Sequence, residues 1–353
     1  MTFTPMNAKY GGMKYQGIHL KQLPELKRPV LIAGFDGWGN ALDVSRATIA
    51  YLIRKLEAEC FAEIDPDQFY RYDETRPSVN IKEGILKDIS LPQGSFYAAR
   101  TGSGQRDLVI LKADEPNLCW VNFADEMFSL CSTLGVKAII TLGAMYDNVL
   151  HSDRIVSGAA SDQALLEDLK QKGVIPVNYQ GPSSIHSIIS SEGRKRGFQC
   201  MSLWCHCPYY LQGTTHFGIL THMASLLSSI GGFELDVQEL ESSWRDLNRQ
   251  IQKLIDNSLE LQDMINELRK AKVKGSWESM KETSKMDEKV IYPERLSKAW
   301  VIAQRLDLDP PFSLTVSTRS DTISAALPCK NISVRVSVKW VRSLLISMIF
   351  APF

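Results

Sequence analysis

The sequence has no excess of charge and no long apolar run. Its 40 Lys and Arg residues balance 40 Asp and Glu residues, so no net field attracts nucleic acid or an anionic membrane. No apolar stretch reaches the roughly 20 residues that a membrane-spanning helix needs. The N-terminal stretch lacks the apolar core of a signal peptide. We therefore expect a cytoplasmic protein without nucleic-acid or membrane partners.

The sequence also lacks the cysteine patterns of a disulfide framework or a zinc site. Its 7 cysteines are odd in number and irregularly spaced, and they include no C-x-x-C pair. In an extended segment, Cys205 and Cys207 point to one side and His206 points to the other, which makes a poor chelate. We therefore predict reduced thiols, no metal site and no cofactor.

A recognised nucleotide-binding loop is missing as well. Residues 34–40 have glycines in the order G-x-x-G-x-G, which matches neither the dinucleotide fingerprint nor the phosphate loop. The loop follows a short apolar strand at 30–33, and it places Asp36, Trp38 and Asn40 where open α/β sheets bind ligands. A tight structural turn and a ligand or subunit contact both fit this loop. Asn40 or Asp43 is a candidate cap for the amphipathic helix that follows.

Short apolar strands alternate with helices over most of the chain. Strands are predicted at 30–33, 108–111, 137–142 and 201–204, with helices at 44–52, 120–134, 164–169 and 217–227. This alternation predicts an α/β fold, a three-layer α/β/α sandwich with a mostly parallel sheet. The aromatic, hairpin-like region 69–100 adds some antiparallel pairing, so the sheet is expected to be mixed. We assign 29–232 to this domain and 1–28 to an N-terminal arm.

Two further loops carry dense polar function after apolar strands. Residues 143–154 hold Tyr146, Asp147, His151 and Arg154, and residues 205–210 hold His206 and Tyr209. Parallel strands end at one edge of a sheet, so these loops are expected to converge with the glycine loop. The alternative is that Asp and Arg side chains pair and pin a loop. The candidate ligand or interface site therefore comprises Asp36, Trp38, Asn40, Tyr146, Asp147, His151, Arg154, His206 and Tyr209.

The composition changes after residues 231–232. Apolar residues recur at alternating spacings of four and three over 240–268, which is a helix-packing seam. One long helix fits this pattern. A hairpin broken at 256–258 also fits and is favoured, because Asn257 and Glu260 form a capping-box arrangement. We assign 233–275 to this helical hairpin or coiled-coil-like segment. Residues 276–353 are a divergent, loosely packed C-terminal tail, although 334–340 alternates like a strand.

Several tracts together resemble the proteasome assembly chaperone family of the second-subunit type, in its prokaryotic branch. The resemblance covers about 29–275 and rests on AGFDGWGNALDVSRATIAYLI (33–53), FAEIDPDQFYRYDETRP (61–77), ITLGAMYDNVLHSDRIVSG (140–158), YQGPSSIHS (179–187) and SLWCHCPYYLQG (202–213). It implies a fold like that of purine nucleoside phosphorylases, homo-oligomers and chaperone action without catalysis. Some archaeal relatives dock through a C-terminal tyrosine motif. This chain has Pro352 at that tyrosine position, so such docking is not expected here.

Two hypotheses follow from these observations. The first is an oligomeric, non-catalytic chaperone or scaffold that acts through protein–protein contacts, because no catalytic constellation is complete. The second is a phosphorylase-fold enzyme or small-ligand-binding protein, with a nucleoside, nucleotide or other small anionic or polar ligand at the carboxyl ends of the strands. Side chains that gather in one pocket would favour the second hypothesis, and scattered ones would oppose it.

Overall fold

A nine-stranded sheet forms the centre of the molecule in the computed structural model. The structure describes residues 16–102 and 105–274, together with three C-terminal strands. The sheet contains β1 (Ile18–Leu20), β2 (Val30–Asp36), β3 (Glu59–Ile64), β6 (Gly94–Ala99), β7 (Leu108–Asp114), β8 (Ala138–Asp147), β9 (Val156–Ala160), β10 (Ile175–Pro176) and β11 (Gln199–Pro208). A separate hairpin is formed by β4 (Ser78–Lys82) and β5 (Ile85–Ser90).

Helices cover both faces of the sheet. The helices are α1 (Val44–Lys55), α2 (Pro66–Phe69), α3 (Trp120–Leu134), α4 (Gln163–Gln171), α5 (Ile185–Lys195), α6 (Phe217–Gly231), α7 (Gln238–Asp256) and α8 (Leu259–Lys274). One apolar core packs α3 and α5 against the sheet. A larger core packs α1, α4, α6, α7 and α8 against the opposite face. The predicted three-layer α/β/α sandwich is therefore confirmed.

The middle of the sheet is a parallel block. The strand order is β1-β3-β6-β7-β2-β8-β11-β9-β10, and the four strands from β7 to β11 run parallel. They contain the four predicted apolar strands apart from Lys137, and the side chains of these runs are buried on both faces, as a parallel sheet requires, except half-buried Trp204. The flanking strands β6 and β9 run antiparallel to their inner neighbours. The sheet is thus parallel at its centre and mixed at its flanks, as region 69–100 predicted for one side.

Two strands are longer than the sequence indicated. The predicted loops at 143 and 205 begin inside strands, because β8 and β11 stay paired as far as Asp147 and Pro208. Gly143 makes this possible, since a Cβ there would lie 2.6 Å from the ring of Trp204. The missing side chain lets the indole lie across the neighbouring strand. The polar residues of both segments are therefore held by a rigid sheet.

The seam at 240–268 forms a helical hairpin, so the single long helix is the wrong alternative. Helices α7 and α8 are joined at 257–258, and the buried seam packs on the larger core. Asn257 closes α7, and the Ser258 hydroxyl accepts a hydrogen bond from the Leu261 backbone N–H at 3.4 Å. Ser258 therefore caps α8, where Asn257 had been predicted to do so.

The two ends of the chain are described only in part. Ile18–Leu20, within the predicted N-terminal arm, pairs with β3 at the edge of the sheet. Near the C-terminus, β12 (Thr315–Thr318), β13 (Thr322–Ala326) and β14 (Ser333–Ser337) form an antiparallel sheet. The predicted alternation at 334–340 overlaps β14, whereas the loose packing predicted for 276–353 lies outside the described residues. Within the described residues, no helix is long and apolar enough to span a membrane.

Candidate functional site

The parallel block brings the predicted site segments to one edge of the sheet. Strand β2 ends at Asp36, β8 ends at Asp147, and β11 ends at Pro208. Because these strands are parallel neighbours, their carboxyl ends lie side by side. Side chains along a strand alternate between faces, however, so residues at one edge separate into groups on opposite sides of the sheet.

Asn40 organises the glycine loop. Its side-chain amide donates to Asp36 at 2.9 Å and to Asp43 at 3.0 Å. Its side-chain carbonyl accepts the backbone N–H of Ser45 at 2.9 Å, at the start of α1. Arg46 donates to Asp43 at 2.7 Å and lies 3.7 Å from Asp36. Asn40 is thus the helix cap, and Asp36 is held by neighbouring side chains of its own loop.

Three side chains form a hydrogen-bonded chain across β8, β11 and β9. The Nδ1 atom of His206 lies 2.7 Å from Oδ2 of Asp147, and its Nε2 atom lies 2.8 Å from Oγ of Ser157. The Asp147 and His206 side chains are 30% and 10% exposed, whereas Ser157 is buried. We call these residues the relay. It begins at the surface and ends beneath it.

Aromatic side chains border the relay. Trp204 is the cross-strand partner of Ser157 and lies two residues before His206 on β11. Its ring contacts Trp38 at a centroid distance of 6.4 Å and His186 at 5.0 Å. Trp38 is 67% exposed, an unusual exposure for a tryptophan. The edge therefore carries two tryptophans beside the relay, Trp204 and Trp38, which we call the aromatic wall.

His186 lies buried behind this wall. The residue lies in the first turn of α5. Burial lowers the pKa of His186 to about 4, so the imidazole is neutral near neutral pH. In the described part of the chain, its Nδ1 atom has no hydrogen-bond partner. Buried polar atoms normally find partners, so this nitrogen needs an explanation.

His151 and Arg154 lie in a different cluster, beneath the helical hairpin. The Arg154 guanidinium donates to the backbone carbonyls of His151 and Asp153, each at 2.9 Å, and lies 4.3 Å from the ring centroid of Trp244 on α7. The His216 ring stacks on the same indole at 4.7 Å. We call His151, Arg154, His216, Trp244 and Tyr210 the sealed cluster. It attaches α7 to the body of the protein.

Burial sets the charge states of the sealed cluster. Burial, together with the charge of Arg154, lowers the pKa of His151 to about 4 and that of His216 to about 3. Both imidazoles are therefore neutral near neutral pH. His151 Nδ1 lies 2.8 Å from the Tyr210 hydroxyl, and His216 Nε2 lies 3.0 Å from the His151 carbonyl. These contacts use the ring nitrogens to connect loops.

The nine predicted residues thus divide into groups. Asp147 and His206 meet in the relay with Trp38 nearby, whereas Asp36 and Asn40 bond to each other within the glycine loop. His151 and Arg154 are in the sealed cluster. Tyr146 stacks on Tyr209 with centroids 5.5 Å apart, and burial raises the pKa of Tyr146. The structure does not gather all nine side chains in one pocket.

Sequence reasoning missed the residue that completes the relay. Ser157 lies on β9, a short strand that the sequence did not separate from the loop before it. Its contact with His206 depends on β9 running antiparallel to β11, against the direction of the parallel block. A strand order of this kind leaves no periodic signal in the sequence. Trp204 and His186 were present in the quoted tracts but were not assigned to the site.

The fold and the site define a class of protein: an α/β/α sandwich with a helical hairpin on one face and a polar, aromatic edge. The profile of the PAC2 family matches residues 31–255, more than half of the chain, and the chain belongs to the PAC2 family. This membership confirms the resemblance to the proteasome assembly chaperone family. No match was found among curated proteins.

Solved structures show the same fold. A PAC2 family protein from Streptomyces avermitilis is 27% identical, with a TM-score of 0.58 over 67% of this chain and 99% of its own. A proteasome-assembly chaperone homologue from Mycobacterium tuberculosis is 26% identical, with a TM-score of 0.59 and the same coverage. A Pyrococcus furiosus protein described as an archaeal proteasome activator is 21% identical, with a TM-score of 0.53 over 69% of this chain and 99% of its own, and it shows the fold alone.

Proposed function

We propose that the protein is a chaperone-like member of its family that acts through protein–protein contacts, as a homo-oligomer in the cytoplasm. Family membership supports this role, and one relative at 26% identity is a proteasome-assembly chaperone homologue. This role requires contacts with other chains and no chemistry. The observation that carries the proposal is the surface of the β4–β5 hairpin.

The β4–β5 hairpin is amphipathic, and its apolar side is uncovered. Val79 faces Ile89 across the two strands, and Ile81 faces Leu86, so four apolar side chains share one face. The pairs Ser78–Ser90, Asn80–Asp88 and Lys82–Ile85 lie on the other face, where Ile85 is the apolar member. Each of the four apolar residues is between 55% and 57% exposed. We call this the hairpin face.

A hairpin of this kind needs a partner. An isolated two-stranded hairpin is at best marginally stable in water. Covering the exposed halves of four such side chains is worth roughly 3–6 kcal/mol before the entropy of association is subtracted. Contiguous exposed apolar patches on soluble proteins mark interaction sites. We infer that the hairpin face binds another protein chain, and that a second copy of this chain is one such partner.

Light scattering after size-exclusion chromatography tests the oligomer. The variant Val79→Thr/Ile81→Thr/Leu86→Thr/Ile89→Thr removes the apolar face but keeps β-branched residues that favour strands. The matched control is Asn80→Thr/Asp88→Thr on the opposite face. We expect the wild-type chain and the control to exceed the 39.7 kDa of one chain, and the apolar variant to shift towards that mass. A monomeric wild-type protein at 50 μM would contradict the proposal.

A second measurement tests the chaperone role itself. Tagged wild-type, apolar-variant and control chains are expressed in the native host, and copurified proteins are compared by quantitative mass spectrometry. We expect a specific protein that is retained by wild type and control and is lost with the apolar variant. Equal recovery with all three chains would show that the hairpin face is not the contact surface.

Binding of a small polar ligand is a second candidate function. Among the described residues, Nδ1 of His186 behind the aromatic wall has no hydrogen-bond partner, and a ligand group could satisfy that nitrogen. A ligand that binds only the folded state raises the melting temperature by mass action. We expect a screen of nucleosides, nucleotides and phosphorylated metabolites to give a shift that is lost in Asp147→Ala. A flat screen would exclude the tested ligands.

A further inference from the structure

The relay has a chemical order that the chaperone role does not use. Ionised carboxylates only accept hydrogen bonds, so the contact with Asp147 assigns the hydrogen of neutral His206 to Nδ1. The lone pair of Nε2 then faces Ser157, whose hydroxyl donates to it at 2.8 Å. A carboxylate that orients an imidazole, which in turn accepts the proton of a serine hydroxyl, is the arrangement that activates serine nucleophiles.

The location of the relay also fits a reactive site. Asp147 is at the carboxyl end of a central parallel strand, where open α/β sheets bind ligands. All three residues lie on paired strands, and sites on strands are held more precisely than sites on loops. The neighbouring Trp204 and the exposed Trp38 supply apolar surface for the uncharged part of a substrate.

We propose that Ser157 is the nucleophile of an acyl-transfer site, with His206 as its general base and Asp147 as a positioning residue. The substrate class is an ester with a small acyl group, because Ser157 is only 4% exposed and a bulky acyl group would not reach it. The aromatic wall would hold an apolar or aromatic leaving group. The inference is independent of the oligomer proposed above.

The reaction proceeds in two balanced steps. Ser157 Oγ forms a bond to the ester carbonyl carbon as its proton passes to His206 Nε2. The bond from that carbon to the leaving oxygen breaks, and the departing alcohol takes the proton from His206. The oxygen of a water molecule then bonds to the acyl carbon as one water proton passes to His206 Nε2. The bond from that carbon to Ser157 Oγ breaks, and the serine oxygen takes the proton from His206. The products are a carboxylic acid, an alcohol and the restored Ser157 hydroxyl.

A small fluorophosphonate tests the nucleophile directly. The Ser157 oxygen would form a bond to phosphorus as the phosphorus–fluorine bond breaks, and the adduct is located by peptide mass spectrometry on the full chain. We expect the label on Ser157 in wild type and none in Ser157→Ala. Ser45→Ala is the matched control, since Ser45 is also buried but donates to the Leu142 carbonyl at 2.9 Å. It should leave labelling of Ser157 unchanged.

The base and the positioning residue are tested by rate. We expect His206→Asn to slow labelling at least tenfold and Asp147→Asn to slow it to a smaller extent, with partial recovery in Asp147→Glu. A burst of p-nitrophenolate from p-nitrophenyl acetate should follow the same order. Circular dichroism melting establishes that each variant is folded. Absence of label and burst in the wild type would overturn the proposal, and so would equal rates in folded His206→Asn.

Discussion

The relay and the sealed cluster lie at the same edge of one sheet and contain similar residues, but their surroundings differ. The relay lies on the face that carries α5, and its carboxylate reaches solvent. The sealed cluster lies on the opposite face, where α6 and α7 cover it. In the sealed cluster, most hydrogen bonds join a side chain to a backbone group, and rings stack. In the relay, side chains bond to side chains.

From this difference we expect the sealed cluster to contribute to the stability of the fold and the relay to contribute to the proposed chemistry. Groups that hold backbone carbonyls and stack between helices are fixed by folding, so removing one should weaken the fold. A chain of side chains that reaches solvent contributes fewer packing contacts, so removing one member should cost less. The role of each cluster therefore depends on the elements that cover it and not on its residue types.

The largest expected effect is acid destabilisation through the sealed cluster. His151 and His216 have folded-state pKa values of about 4 and about 3, below the unfolded value of about 6.5. The unfolded state therefore binds more protons. The stabilising contribution is complete above about pH 6.5 and is lost as the pH falls towards 4, by about 3 kcal/mol for each histidine. Urea unfolding at pH 7, 6, 5 and 4 measures this loss.

A single substitution isolates one histidine from the carboxylates that also titrate. His216 caps α6 by accepting the Ile219 N–H at 3.3 Å, and asparagine is an effective cap residue. His216→Asn should therefore keep the helix start but reduce the slope of unfolding free energy against pH below 6.5. Buried His186 contributes to the slope in the same direction in the wild type and in the variant, so its contribution cancels in the comparison. Identical slopes would contradict the assignment.

Two tryptophans give the next largest contrast. Trp244 contacts both Arg154 and His216, so Trp244→Ala loses a cation–π contact and a stack and leaves a cavity. Because the indole is half-buried, we expect a loss of roughly 2–4 kcal/mol. Trp38→Ala in the exposed wall should cost less than about 1 kcal/mol. Equal losses in urea unfolding would show that the two regions do not differ in this way.

The fold was largely predictable because buried strands and helices have apolar patterns that are local in the sequence. The four central strands are apolar runs that burial on both faces requires. The spacing of the seam predicted helix packing, and the capping-box arrangement of Asn257 and Glu260 favoured the break at 256–258. The ends of β8 and β11 were missed because their pairing continues through polar residues. That continuation depends on Gly143 and Trp204, which lie far apart in sequence, and local patterns do not record such a contact.

The site was less predictable for a physical reason. Asp147 and His206 were chosen as polar residues after apolar strands, and parallel pairing brings them together. His151 and Arg154 were chosen by the same rule, but the chain turns after β8 and places them beneath α7. The antiparallel insertion of β9 that delivers Ser157 is a long-range property of the sheet. The sequence pattern therefore placed the candidate residues at the correct edge of the sheet, but it did not show on which face each residue lies.

The smallest effect on stability gives the sharpest comparison. Ser157→Ala removes one hydrogen bond from the relay, and Ser45→Ala removes one from a buried serine that bonds to a backbone carbonyl. Each should cost about 1 kcal/mol in urea unfolding, although only the first should abolish the fluorophosphonate adduct. A loss of about 3 kcal/mol or more in Ser157→Ala would give the relay the same structural role as the sealed cluster. Matched small losses, with reactivity lost in one variant alone, would separate the chemistry of Ser157 from its contribution to the fold.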